Sequence, residues 1–99
     1  MDLHLRGKKV VITGASKGIG LGIARAFAQE GADVVLCARS KEALKRAAAE
    51  IADAHGVSTY PLAADLSTAE GVEALATFAL ERLGRVDVLV NNAGAIPGG

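Results

Sequence analysis

The chain is short of cysteine, proline and histidine, and it carries no excess charge of either sign. One cysteine among 99 residues excludes an intrachain disulfide. Cys37 sits in the apolar run Val34-Val35-Leu36-Cys37-Ala38, where it reads as a buried small hydrophobe rather than a reactive thiol. Eleven basic residues balance eleven acidic ones, so the broad positive field of a nucleic-acid or anionic-membrane binder is missing; a local anion site stays open, because it needs no net charge. No apolar run approaches the ~18 residues of a membrane-spanning helix, and residues 1–9 are charged with no apolar stretch behind them. The expectation is a cytoplasmic chain with neither nucleic acid nor membrane as partner and no metal site.

What is present fits one folded domain at most. Half the residues are apolar and 22% are charged, a soluble globular balance. Four short apolar runs recur: Val10-Val11-Ile12-Thr13, residues 34–38, residues 57–64 and Val86-Asp87-Val88-Leu89-Val90. Three are compact and β-branched, as strands buried on both faces of a parallel sheet should be. The third contains Pro61 and reads as an edge strand.

Helical patterns separate these runs. The first, over residues 18–30, groups Ile19, Ile23, Ala26 and Phe27 on one face and stops at Gly31. Ser40 is placed to cap the second, which carries Leu44, Ala47, Ala48 and Ile51 on one stripe and pairs Glu42 with Arg46. The third opens on the capping box Ser67-Thr68-Ala69-Glu70 and stripes Val72, Leu75, Ala76, Ala79 and Leu83. Phe78 lies off that stripe, as if facing a further helix. The fold class is therefore α/β: a doubly wound parallel sheet, Rossmann-like, of four strands in order 3-2-1-4 with three helices. Right-handed crossovers select that order and put a ligand crevice between strands 1 and 4.

The chemistry should lie at the carboxyl ends of the strands. After the first comes Thr13-Gly14-Ala15-Ser16-Lys17-Gly18-Ile19-Gly20, a turn whose glycines let backbone approach a pyrophosphate ahead of an amide-rich helix start. It is not a P-loop, since no Gly-Lys-Ser/Thr closes it. Gly14-Ala15-Ser16-Lys17-Gly18 also matches a hydrolase nucleophile elbow, but that needs an acid and then a histidine downstream. His4 precedes the serine, and His55 falls at a helix end on the wrong edge of the sheet. After the second strand, where an acid would hold ribose hydroxyls, stand Arg39 and Ser40. Arg39 is either a 2′-phosphate ligand, with Lys17 nearby, or a solvated arginine at a helix start. Asp65-Leu66 is either ligand-facing or only a turn, and Asn91-Asn92-Ala93-Gly94 is equally open by itself.

Taken together, Thr13-Gly14-x-x-x-Gly18-x-Gly20 and Asn91-Asn92-Ala93-Gly94 at this separation resemble the short-chain dehydrogenases/reductases, aligned over essentially the whole chain to the family's N-terminal portion. The resemblance implies a cofactor site of Gly14, Ser16, Lys17, Gly18, Ile19, Gly20, Arg39, Ser40, Asp65, Leu66, Asn92, Ala93 and Gly94. Lys17 and Arg39 go with NADP(H) in preference to NAD(H). Asp65 and Leu66 would meet the adenine, the backbone of Asn92, Ala93 and Gly94 would line the path to the nicotinamide, and Asn91 would be more structural. The family's catalytic Ser and Tyr-x-x-x-Lys have no counterpart: the only tyrosine, Tyr60, is followed four residues on by Ala64. No residue is assigned to catalysis, and the 99 residues are expected to be an inactive part of a longer, oligomeric oxidoreductase acting on a small carbonyl or alcohol. The alternative is a stand-alone nucleotide-binding or regulatory module.

Overall fold

In the computed structural model the described residues are 4–92; Ala93 and Gly94 lie outside them. Strands and helices alternate as β1 (Lys9–Thr13), α1 (Gly18–Gln29), β2 (Asp33–Ala38), α2 (Lys41–His55), β3 (Thr59–Ala63), α3 (Ala69–Leu83) and β4 (Val88–Val90). The strands form one parallel sheet in the order β3-β2-β1-β4. Stepping outward from β1 to β3 places α1 and α2 on one face. The return from β3 to β4 places α3 on the other, as right-handed crossovers require.

The two-residue alternation of strands divides the core between the faces. Val10, Ile12, Val34 and Leu36 pack with Ala24 and Ala28 of α1 and with Leu44, Ala48 and Ile51 of α2. Val11, Val35 and Cys37 face Leu75, Ala79 and Leu83 of α3. The α2 stripe is therefore as the sequence suggested. The α1 stripe is so only in part: Ile23 and Phe27 pack, partly buried, against this core, but Gly20, Ala24 and Ala28 are the buried residues, Ile19 is 75% exposed and Ala26 faces solvent. Residues four apart with little or no side chain let α1 lie close on the sheet, and larger side chains fall beside that contact.

On α3, Leu75, Ala79 and Leu83 are buried, but Val72 and Ala76 are exposed. Phe78 is partly buried against the cluster of Val11, Val35 and Leu75, and the Arg82 guanidinium covers its ring at 4.7 Å. It thus packs within this chain, which removes the sequence argument for a further helix. The cap of α3 is Thr68 rather than Ser67: its Oγ1 accepts from the Gly71 amide at 3.0 Å. Ser40 occupies the cap position of α2 without a side-chain hydrogen bond. The ion pair that α2 makes is Glu50 with Arg25 of α1, at 3.5 Å; a Glu42–Arg46 pair is not among those of the described residues.

The sheet's two edges differ. The Val34 amide bonds the Ser58 carbonyl and the Ala64 amide bonds the Ala38 carbonyl, each at 3.0 Å. Even-numbered residues of β3 hence point their backbone groups at β2, and Pro61 turns its missing N–H to the open side. This explains how a proline sits inside the strand. At the opposite edge β4 is short and less covered than a doubly buried strand: Leu89, level with Val11 and on the α3 face, is 60% exposed.

Candidate cofactor site

Three strand-to-helix connections and the end of β4 meet at the carboxyl rim of the sheet around a cleft of about 640 Å³, within the ordinary range for small-molecule sites. The β1–α1 loop supplies Gly14, Ser16, Lys17, Gly18 and Ile19. Gly14 and Gly18 have φ of 61° and 60°, a left-handed conformation that costs glycine little. The Ala15 amide bonds the Cys37 carbonyl at 3.1 Å, which pins the loop to β2. Beyond the loop α1 begins at Gly18, its cap residue Lys17 makes no side-chain cap bond and its first turn holds no acid, so its leading amides and positive dipole end are left for another partner.

Gly20 does not line the cleft but stands behind it. A Cβ there would lie 2.0 Å from the Gly14 carbonyl oxygen and 2.6 Å from Asn92 Nδ2. Those two groups are themselves bonded, Asn92 Nδ2 donating to Gly14 O at 3.3 Å. Thr13 closes the seam: its buried hydroxyl donates to Asn91 Oδ1 at 3.0 Å and accepts from the Asn92 amide at 2.9 Å. The end of β4 is thereby tied to the end of β1. Asn91 carries the structural half of this pair, and Asn92 reaches the cleft wall.

Ala38, Arg39 and Ser40 come from β2–α2, and Ala64, Asp65, Leu66 and Ser67 from β3–α3. Ser67 donates its hydroxyl and its amide to Asp65, lowering that carboxyl's pKa in this order; slight desolvation opposes them and the Arg39 charge helps. Burial pushes the Cys37 thiol up to about 11, in keeping with an inert wall residue. Every sequence-derived site residue within 4–92 except Gly20 lines this one cleft. The reading missed Cys37, Ala38, Ala64 and Ser67; the signal available was only that each flanks a strand's carboxyl end.

The competing readings fare badly. His55 lies in the last turn of α2, which starts at the cleft rim and runs away from it, so it cannot complete a triad with Ser16. Tyr60 is half-buried in β3 against the Val35 cluster. No group of three or more His, Cys, Asp or Glu residues suited to a metal ion exists among the described residues. Nor is any helix there long and apolar enough to cross a membrane.

A doubly wound parallel sheet with a glycine-rich β1–α1 turn at the point where strand order reverses defines a Rossmann-like protein. A family model described as short chain dehydrogenase matches residues 8–99, and the chain belongs to that family. It is 44% identical over 94 residues to 1-deoxy-11-beta-hydroxypentalenate dehydrogenase of Streptomyces exfoliatus, covering 95% of this chain and 34% of that protein. L-sorbose reductase from Gluconobacter frateurii, solved with NADPH and L-sorbose, superposes with a TM-score of 0.93 at 46% identity, over 96% of this chain and 36% of the other. An NAD+-bound xylitol dehydrogenase gives 0.86 at 33% identity, over 92% and 35%. The chain spans about a third of the length of these relatives.

Proposed function

We propose that this chain is the cofactor-binding part of an NADP(H)-dependent oxidoreductase that moves a hydride between the nicotinamide and a carbonyl or alcohol substrate. The observation that carries the reading is the uncapped start of α1 facing a cleft whose rim holds Lys17 and Arg39. The cleft fits a dinucleotide in three respects. The leading amides of α1 suit a pyrophosphate. The absent Cβ of Gly20 keeps the Gly14 carbonyl and the Asn92 amide drawn in behind the loop. Ile19, 75% exposed at the cleft mouth, offers apolar surface that a solvent-facing helix start would not need.

In this reading Gly14, Ser16, Gly18 and Ile19 hold the phosphates, with Gly20 keeping their loop closed. Arg39, Ser40 and Lys17 hold a ribose 2′-phosphate, Asp65 and Leu66 the adenine, and Asn92 with Ala93 and Gly94 the nicotinamide side. Solved relatives carry NADPH in one case and NAD+ in another, so cofactor choice rests on this chain's own Arg39. The nicotinamide supplies the hydride chemistry when bound; these 99 residues supply binding and orientation and no proton-transfer group.

Titration of the folded chain with NADPH and NADH, followed by nucleotide fluorescence, tests the proposal. A 2′-phosphate held by charge-assisted contacts predicts NADPH tighter by about tenfold to a hundredfold. Adenosine 2′,5′-bisphosphate should compete with NADPH. A chain that is folded by circular dichroism and binds neither nucleotide refutes the reading.

A further inference from the structure

Apart from the cofactor cleft, and sharing no lining residue with it, a groove of about 430 Å³ runs between β3 and one flank of α3. Its floor is apolar: Leu62 of the edge strand, with Ala74 and Phe78 of the helix. Its rim is acidic, made by Glu70, Glu73 and Glu81 along that flank. The facing wall offers no counter-charge, because β3 reads Thr-Tyr-Pro-Leu-Ala. Glu70 and Glu73, one turn apart, enter no ion pair among the described residues, and like charges so spaced repel. The third acid shows what the groove accepts. The Arg82 guanidinium lies 4.7 Å from the centroid of the Phe78 ring and 3.8 Å from Glu81. A cation is thus held here by an aromatic face and a carboxylate together.

We propose that this groove docks a basic amphipathic helix of a partner protein, with apolar side chains on Leu62, Ala74 and Phe78 and lysines or arginines against Glu70 and Glu73. Charge complementarity sets the sign of the partner, since three rim acids face one local cation. The strand edge sets its shape. Pro61 turns its missing N–H to the open side, so a strand added there would lack a ladder bond at its centre. A helix satisfies its own backbone and asks only for side-chain contact. From Glu70 to Glu81 α3 rises by about 16 Å, a length that about three turns of a partner would cover. The docking does not depend on what fills the cofactor cleft.

The probe is a helical peptide of about 14 residues with leucine and lysine at amphipathic spacing, added to the isotopically labelled chain and followed by amide chemical shifts. A second peptide carries glutamate in place of lysine. Shifts should gather on Leu62, Ala74, Thr77 and Phe78, and the lysine peptide should bind tighter by about tenfold or more. Glu70→Gln together with Glu73→Gln, both on exposed positions, should weaken it by about threefold to thirtyfold, the sum of two surface ion pairs. Ala74→Lys, which sets a cation on the exposed floor, should weaken it by about tenfold or more; if that chain does not fold, the glutamine pair decides. Equal binding of the two peptides, binding of neither, or an affinity unmoved by the glutamine pair overturns the proposal. So do shifts that gather on the exposed Val72, Leu80 and Leu89 or at the cofactor cleft. Butylguanidinium bound in the groove as tightly as the lysine peptide overturns it in favour of a lone cation site. Self-association that Ala74→Lys abolishes overturns it in favour of a second copy of this chain.

Discussion

Gly20→Ala should be among the most damaging one-carbon changes in this chain, and Gly22→Ala, two residues along the same helix, should be mildly stabilising. Both positions are inside α1, where replacing glycine by alanine gains up to about 1 kcal/mol of helix propensity. At Gly22 nothing lies within 4 Å of the new Cβ, so that gain is kept, about 0.5–1 kcal/mol. At Gly20 the new Cβ would stand 2.0 Å from the Gly14 oxygen and 2.8 Å from its carbon, where 3.0 Å is the practical limit. The Gly14 backbone has to retreat by about an ångström, and it is part of a loop already bonded to Cys37 and Asn92. Overpacking of this kind costs about 1–3 kcal/mol, and losing the Asn92–Gly14 hydrogen bond adds about 0.5–1.5 kcal/mol. Set against the propensity gain, the net is a loss of about 0.5–4 kcal/mol, opposite in sign to Gly22→Ala. Urea unfolding followed by far-ultraviolet circular dichroism measures both on one scale. Equal midpoints for the two variants, or a Gly20→Ala chain as stable as the parent, would refute the packing argument.

Arg39→Asp should weaken NADPH by about tenfold to a hundredfold while changing NADH far less; equal losses in a fluorescence titration would remove the 2′-phosphate role. Burial alone would raise the Asp33 pKa, but the Lys9 ammonium and the Ser58 amide outweigh it and the net shift is downward; the Lys9 amide, with Arg85, lowers Asp87 likewise. The unfolded chain therefore takes up protons first as pH falls, so their contribution is complete above the ordinary value of 3.8 and lost as pH drops through the lower folded values. Thermal melts across acid pH should show this decline, and Asp33→Asn should flatten it. Cys37, buried and with its thiol pushed up to about 11, should react with a disulfide reagent only on unfolding, so its labelling should track denaturant; fast labelling of the native chain would contradict its placement. Leu89→Lys should reduce self-association in sedimentation velocity, because β4 offers an open edge beside an exposed leucine whereas β3 presents Pro61; unchanged association would show that another surface is responsible.

The sheet order was legible because short continuous apolar runs and helical patterns alternate strictly, and crossover handedness leaves few arrangements. The α2 stripe was legible for a similar reason: Leu44 and Ile51 are large and sit on the buried line. On α1 Ile23 and Phe27 do pack on the core, but the closest contact is made by Gly20, Ala24 and Ala28, whose burial comes from closeness and not from hydrophobic bulk, and the spacing of large residues cannot show it. Ile19 looked like core and faces the cleft. Phe78 looked unpartnered because helical spacing cannot show that Tyr60 and Leu62 of the edge strand flank the same cluster. Among the residues lining the cleft, the glycines and Arg39 stood out by type and position, whereas Asp65 stayed ambiguous until the family resemblance was added. Ser67 did not stand out, since a serine before a helix looks like a cap, while here its hydroxyl turns back to Asp65 two positions earlier.

The balanced composition hides an uneven distribution of charge along the strands. At the amino rim Lys9 Nζ meets Asp33 at 2.6 Å, Arg85 meets Asp87 at 3.1 Å, and Asp87 also accepts the Lys9 amide at 2.8 Å. These contacts bind β1 to β2 and to the segment entering β4, so the acids there are committed to holding strands in register. At the carboxyl rim Lys17 and Arg39 enter no ion pair among the described residues, and the helix starting between them has no acid in its first turn. A fold stabilised evenly would neutralise both rims. Among the described residues only the Asp65 carboxyl, whose pKa the Arg39 charge helps to lower, offsets the cations at this rim. If the cleft takes a phosphate as proposed, its occupant should stabilise the fold, an effect that grows with ligand concentration as mass action requires.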